Sequence, residues 1–239
     1  MWRRTGGVAC RRCCSHKGGA LAQGIVKASD LPQVIPVFPL NGAVLLARGQ
    51  LPLNIFEPRY LNMIDDAMAG DRMVGMVQTT GGPADNPTLA PVGCVGRITN
   101  FAETPDGRYM ITLTGICRFR IVEEIPARSP YRQVRADFQL YGADLIPAPS
   151  SAEIGRPVLL EALRLFLEHR GLEIDWDTAR EAPAEALVNS LCMALPFEVA
   201  EKQALVEAAD LTARARALTT LLSINAADSG DEDAPPSLQ

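Results

Sequence analysis

The sequence predicts an α+β protein in which about six strands form a small β-barrel and a helical C-terminal part follows. Three observations carry this expectation. Between Val34 and Tyr141 the apolar residues come in short runs separated by Gly, Pro, Asn and Asp, the pattern of strands and turns. Within that stretch, Thr104-Pro105-Asp106-Gly107 separates two long segments of period two, which marks a hairpin. Beyond the IPAPSS linker at 146–151 the apolar spacing lengthens to three and four, the period of helices.

The first strand is VIPVFPL (34–40), whose Pro36 and Pro39 remove ladder donors and suit a sheet edge or a strand end. AVLLARGQLPLNIF (43–56) is interrupted by Gly49 and Pro52, so two short extended pieces are expected. After Pro58, well placed in a first helical turn, Tyr60, Leu61, Ile64, Ala67 and Met68 fall at helical spacing until Gly70. MVGMVQTT (73–80) reads as a buried strand and GGPADNP (81–87) as a loop. In the hairpin, Tyr109, Ile111 and Leu113 point one way and Met110, Thr112 and Thr114 the other. Gly115 marks a bulge or bend before Phe119 and Ile121 resume the alternation. YRQVRADFQLY (131–141) is expected to be the last strand.

In the helical part Ser150 and Glu153 fit a capping box, while Pro157 argues for a start near Arg156. Leu159, Leu160, Leu163, Phe166 and Leu167 form an apolar stripe that ends near Gly171. Pro183 opens a second helix holding Leu187, Leu191 and Met193. A last helical region, 197–224, is interrupted at Asp210, beyond which Leu211, Ala215, Leu218 and Leu222 share one face. The expected organisation is a flexible basic tail (1–30), the barrel (31–145), the helical subdomain (146–225) and a disordered acidic tail (226–239).

Composition bounds the function. The chain has 239 residues, 47% hydrophobic and 21% charged, enough apolar material for one large core or two small ones. Setting aside the five basic side chains of residues 1–20 and the four acids of 226–239 leaves 18 basic and 24 acidic residues, a balance of −6. A body of that sign is not built to neutralise phosphates, so nucleic acid is not the expected partner. No apolar run approaches the ~20 residues that span a bilayer, and no membrane role is expected. The N-terminus is arginine-rich and acid-free like a transit peptide but lacks an amphipathic period, and is read as a flexible tail or an over-extended start. Cys10, Cys13, Cys14 and His16 have zinc-type donors but no second ligand pair, so no metal or cofactor is expected. Cys94, Cys117 and Cys192 sit singly among apolar residues, as free buried thiols do in a reducing cytoplasm.

Catalytic patterns are not found. A phosphate-binding loop of the GxxxxGK[ST] type needs Ser or Thr after its lysine, but Lys17, Lys27 and Lys202 precede Gly18, Ala28 and Gln203. No serine lies in a GxSxG turn, and His169, the one histidine outside the tail, sits near a helix end where it can interact with the helix dipole. Asp65 with Asp66, and Glu123 with Glu124, are sequence neighbours that point apart and read as surface charge.

One segment is more particular: VIPVFPL (34–40) followed by LPLNIFEPRY (51–60). With Val92-Gly93-Cys94-Val95-Gly96, Asp106-Gly107-Arg108, GICRFRI (115–121), Leu195-Pro196-Phe197 and Glu201-Lys202-Gln203, it resembles the substrate-binding N-terminal domain of Lon proteases. The resemblance spans about residues 34–225 and implies a PUA-like β-barrel followed by a helical subdomain. It implies recognition of protein or peptide segments as a stand-alone module or adaptor in protein quality control, without the ATPase and Ser-Lys peptidase modules that carry out unfolding and cleavage. Because PUA-like barrels also occur in RNA-modifying proteins, RNA binding is the alternative. The candidate peptide-binding residues are Glu57, Arg59, Tyr60 and Arg118. Against that stands a structural reading in which Glu57 or Arg59 makes a partly buried ion bridge joining the barrel to the first helix and Arg118 pairs internally. Phe38, Leu40 and Phe56 are expected in the core.

Overall fold

The protein is described from a computed structural model that covers residues 27–83, 86–126, 128–149 and 152–227. The Cys10–His16 cluster, the start of the proposed capping box at Ser150 and the acidic end lie outside these residues.

The barrel contains the six expected strands: β1 (Val34–Pro39), β2 (Gln50–Ile55), β3 (Met73–Val77), β4 (Val92–Glu103), β5 (Tyr109–Ile125) and β6 (Gln133–Asp137). Their order is β2-β5-β4-β3-β1-β6, and β6 also pairs with β5. The pairings therefore run round a ring of five strands. β2 stays outside it, against the first half of the 17-residue β5. The length of β5 makes both attachments possible: residues 109–114 hold β2 and residues 120–125 hold β6.

β1 lies between two strands rather than at an edge, so of the two placements its prolines suggest, the strand end is the one found, at Pro39. The physical reason is that each half of it has a single partner. Residues 34–36 pair with β6 and residues 37–39 with β3, so Pro36 faces no second ladder and Pro39 sits at the strand end. Gly115 is where the chain passes another backbone, since a Cβ there would lie 2.0 Å from the Leu46 carbonyl oxygen. Just beyond it the register with β4 slips, Gly115 facing Gly96 but Cys117 facing Val95, which leaves Ile116 as the bulge residue. The final strand is shorter than predicted. Asp137 Oδ1 accepts the Gln139 N–H at 3.0 Å, Phe138 turns to helical dihedrals, and Gln139–Leu145 becomes a 3₁₀ segment that brings Tyr141 inward.

α1 (Pro58–Ala69) follows β2 directly and ends before Gly70. The C-terminal part contains α2 (Arg156–Arg170), α3 (Trp176–Glu181), α4 (Ala184–Ala194), α5 (Val199–Glu207) and α6 (Leu211–Ala227). α2 starts where Pro157 predicts and stops at Gly171, whose φ of 61° suits glycine. Its N-cap is Gly155, so the Ser150/Glu153 box does not open it. Asp210 Oδ1 accepts the Ala213 N–H at 2.8 Å and opens α6 as expected. The short α3, capped by Asp175, was not predicted.

Two apolar clusters organise these elements. The larger one joins barrel residues such as Ile35, Val95, Phe119 and Val134 to helix residues such as Leu163, Phe166, Leu218 and Leu222, so strands and helices share one core. A smaller one packs Met63, Ile64 and Ala67 of α1 on Phe38, Ile98, Ile111 and Leu113. It closes the end of the barrel where the LPLNIFEPRY segment lies.

Candidate peptide-binding cleft

The turn from β2 into α1 creates the first candidate site. Pro58 at the start of the helix directs the chain, and extended Glu57 caps no backbone donor. The Glu57 carboxylate instead accepts from Arg59 Nε at 2.9 Å and from Nη2 at 2.8 Å. This pair is exposed, 52% and 43% for the two side chains, and joins residues two apart; it is not a partly buried bridge between barrel and helix. The Arg59 guanidinium lies over the Tyr60 ring, 4.6 Å from its centroid. Tyr60 is buried and packs on Phe38 with ring centroids 4.2 Å apart. Phe38 is in the core as expected and Leu40 is half-buried, but Phe56 is 62% exposed.

Arg59 and Tyr60 form one wall of a cleft of about 240 Å³, with Pro39, Leu40 and Asn41 at the end of β1 and Tyr131 and Arg132 before β6. Its walls mix apolar residues (Pro39, Leu40, Pro87, Pro130) with polar ones (Asn41, Arg59, Thr79, Arg132), and some of the polar groups have spare capacity. Among the described residues nothing hydrogen-bonds the Tyr60 hydroxyl, which burial pushes up in pKa against the pull of Arg59. The Asn41 side-chain oxygen accepts from the Thr79 N–H at 2.8 Å and the Thr79 hydroxyl at 2.9 Å, leaving its amide donors to the solvent side. By contrast, Tyr131 donates to Asp66 at 2.6 Å, and Arg132 is held by Glu124 at 2.6 Å and by the Pro87 carbonyl at 2.6 Å. The Arg132 hydrogen bonds hold the Glu124 carboxyl below its ordinary pKa. A larger groove of about 700 Å³ runs beside α2 and α3, but its Arg164 and Arg180 are paired with Glu161, Glu168 and Asp177.

Arg118 lies elsewhere and is fully occupied. Its side chain is 3% exposed, donating from Nε at 2.8 Å and Nη2 at 2.9 Å to the two carboxylate oxygens of Asp144. Nη1 also donates to the carbonyls of Val206, at 2.9 Å, and Ala208, and the guanidinium stacks on Tyr141 at 4.3 Å. Burial works to raise the Asp144 pKa, but the hydrogen bonds and charge of Arg118 outweigh it and hold the carboxyl below its usual range. Arg118 thus ties β5 and the 3₁₀ segment to the α5–α6 junction. This removes it from any set of side chains that could reach a peptide.

The same interface contains residues that the sequence reading did not assign a role. Lys202 Nζ donates to the carbonyls of Gly42 at 2.7 Å and Met193 at 3.2 Å, and burial lowers its pKa. Gln203 donates to the Val92 carbonyl at 3.0 Å. Arg214 Nη1 donates to Asn189, whose amide reaches the Ala47 carbonyl at 3.1 Å. Lys202 and Gln203 of the family-like Glu201-Lys202-Gln203 motif therefore dock α5 on the barrel, while Glu201 accepts from the Glu198 N–H and from Asn225 within the helical part. No motif pointed to Arg214 or Asn189, because their partners are distant in sequence.

The family model of the ATP-dependent protease La (LON) substrate-binding domain matches residues 34–223. The chain belongs to this family. Lon protease 2 of Myxococcus xanthus is 28% identical over 215 residues, which are 84% of this chain and 24% of that protein. The Lon protease of Anaeromyxobacter dehalogenans is 25% identical over 214 residues, again 24% of its length. The chain thus spans about a quarter of the curated Lon proteases it matches. Two solved structures share the fold: the N-terminal domain of Mycobacterium avium complex Lon protease (TM-score 0.57, 18% identity) and a Lon N-terminal domain protein from Xanthomonas campestris (TM-score 0.54, 23% identity). Each likeness covers 80% of this chain, and it covers 98% and 97% of those chains respectively. The PUA-like barrel with C-terminal helices is thus the Lon substrate-binding fold. Among the described residues no helix of this domain is long and apolar enough to cross a membrane.

Proposed function

We propose that this Lon substrate-binding domain is a non-catalytic module that captures exposed segments of protein or peptide and presents them to another factor, as an adaptor of cytoplasmic protein quality control. The observation that carries the reading is the cleft beside Arg59 and Tyr60. Walls part apolar (Pro39, Leu40, Pro87, Pro130) and part polar surround the Tyr60 hydroxyl and the Asn41 amide, two groups that no hydrogen bond among the described residues occupies and that can bond a peptide backbone. A volume of about 240 Å³ suits one or two side chains of a bound segment. Glu57 holds Arg59 over the Tyr60 ring. Arg118 acts at a distance, by fixing the helices against the barrel. The alternative of RNA binding has no observation in its favour.

The test is fluorescence anisotropy with labelled, reduced and carboxymethylated α-lactalbumin, a permanently unfolded chain. The wild-type domain binds it, and the double variant Leu40→Asp/Asn41→Ala binds about tenfold more weakly, as expected for a lost hydrogen bond and a charge placed in an apolar wall. Equal affinity of wild type and double variant would refute the cleft. Incubated with unfolded casein and ATP, the domain leaves casein intact; fragments that disappear on replacing one serine or histidine would show catalysis instead.

A further inference from the structure

We propose that β2 is a docking edge to which an extended, proline-free and uncharged polypeptide segment adds as a further strand, so that captured chain runs along β2 into the cleft. This rests on the peptide-capture reading and specifies how the segment is held.

Among the described residues β2 has one neighbour, β5, and lies outside the ring of strands. Its register decides which backbone groups are free. The Gly115 N–H donates to the Gly49 carbonyl at 2.8 Å, and the antiparallel pairing continues from Gln50 opposite Thr114 to Ile55 opposite Tyr109. Bonded pairs alternate along such a ladder, so Leu51, Leu53 and Ile55 bond to β5 while Gln50, Pro52 and Asn54 face away. Pro52, with no N–H to give, falls on the outward side, which agrees with that register. The outward edge thus offers three carbonyls and two N–H groups, and none of them has another backbone partner among the described residues.

The surroundings select the occupant. From Gln50 to Phe56 the chain carries no charge, and Phe56 and Met110 are exposed apolar side chains, the latter opposite Asn54. A charged segment would find no partner on this edge, whereas alternate apolar side chains would extend the surface made by Leu51 and Leu53. A second copy of this chain fits less well. Pairing β2 with its own outward edge brings a proline from each strand, so two donors are missing, while a proline-free segment leaves only one missing. The edge is also close to the cleft along the chain, since Ile55 is followed after Phe56 and Glu57 by the α1 start that carries Arg59 and Tyr60. Strand addition of this kind supplies affinity through the main chain and tolerates many sequences, as capture of unfolded protein requires.

The experiment uses the whole chain and the same carboxymethylated α-lactalbumin. Pro52→Val restores an outward N–H and is expected to tighten binding several-fold, an effect a damaged fold cannot imitate. Asn54→Pro removes an outward N–H without touching the β5 ladder and is expected to weaken binding about tenfold, while Asn54→Thr keeps wild-type affinity. Hydrogen exchange at the Gln50 and Asn54 amides slows when the probe is added. Unchanged affinity in both Pro52→Val and Asn54→Pro, with Leu40→Asp/Asn41→Ala still weakened, overturns the edge and leaves the cleft standing. No binding of the probe by the wild type overturns both. A dimer in sedimentation equilibrium, with those two amides protected before any probe is added, assigns the edge to a second copy and overturns the proposal.

Discussion

Among the described residues two arginine–tyrosine stacks have nearly equal geometry and opposite surroundings. Arg118 lies 4.3 Å from the centre of the Tyr141 ring and Arg59 4.6 Å from that of Tyr60. Arg118 is 3% exposed and bonded to a carboxylate and backbone carbonyls, whereas Arg59 is 52% exposed and, among the described residues, bonded only to its near neighbour Glu57. The first stack has no donor left to offer and joins two parts of the fold. The second rests on a tyrosine whose hydroxyl is free and lines a cleft. Saturation of the guanidinium, rather than the stack, separates the structural arginine from the one proposed for recognition.

The largest effect is expected at Arg118. Arg118→Ala leaves Asp144 buried without its counter-charge and the Val206 and Ala208 carbonyls without their donor, at a cost of about 3–5 kcal/mol in urea unfolding. Arg118→Lys recovers little, because an ammonium cannot fork onto two carboxylate oxygens while reaching those carbonyls. A loss near that expected for an exposed arginine would show that the network is not what holds helices to barrel.

How far this distinction was readable in the sequence depends on distance along the chain. Period and turn chemistry are local, so the 104–108 turn, the end of α1 at Gly70 and the Asp210 cap were all legible. Asp144 is 26 residues from Arg118, and Val206 is 88, so no spacing rule connects them. Tyr141 departs from the predicted strand for a related reason: the alternating pattern continues through Phe138, but the Asp137 side chain turns the backbone first. The apolar neighbours of Phe56 predict a core position, but the turn into α1 leaves it outside. For the cleft, the EPRY residues were legible as particular. Their placement opposite Asn41 and Tyr131 required the barrel.

Acid sharpens the contrast less strongly. The Asp144 carboxyl is held below its ordinary value in the folded state, so its contribution to stability is complete above the unfolded carboxylate pKa of about 3.9 and disappears as pH falls through the lower folded value. Wild type is therefore more stable than Asp144→Asn by a constant margin at neutral pH, and the margin narrows below about pH 4. Parallel thermal melts at several pH values check this. A margin independent of pH down to 2 would mean that Asp144 acts through its shape rather than its charge.

The smallest effect on stability is expected at Arg59, and it is the more informative for being small. Its ion pair with Glu57 is exposed and short-range, so Arg59→Ala should change unfolding free energy by less than about 1 kcal/mol. Binding should respond differently. The guanidinium covers one face of Tyr60 at the cleft wall, and removing it opens that face to water and takes away a donor from the bound segment's path. Affinity for unfolded polypeptide is then expected to fall several-fold while the melting curve stays in place. Arg118→Ala examined at a temperature where it remains folded should show the reverse, a lowered melting point with near-normal affinity. If instead stability and binding move together in both variants, the two stacks are parts of one coupled structure, and the division between a lock and an open site does not hold.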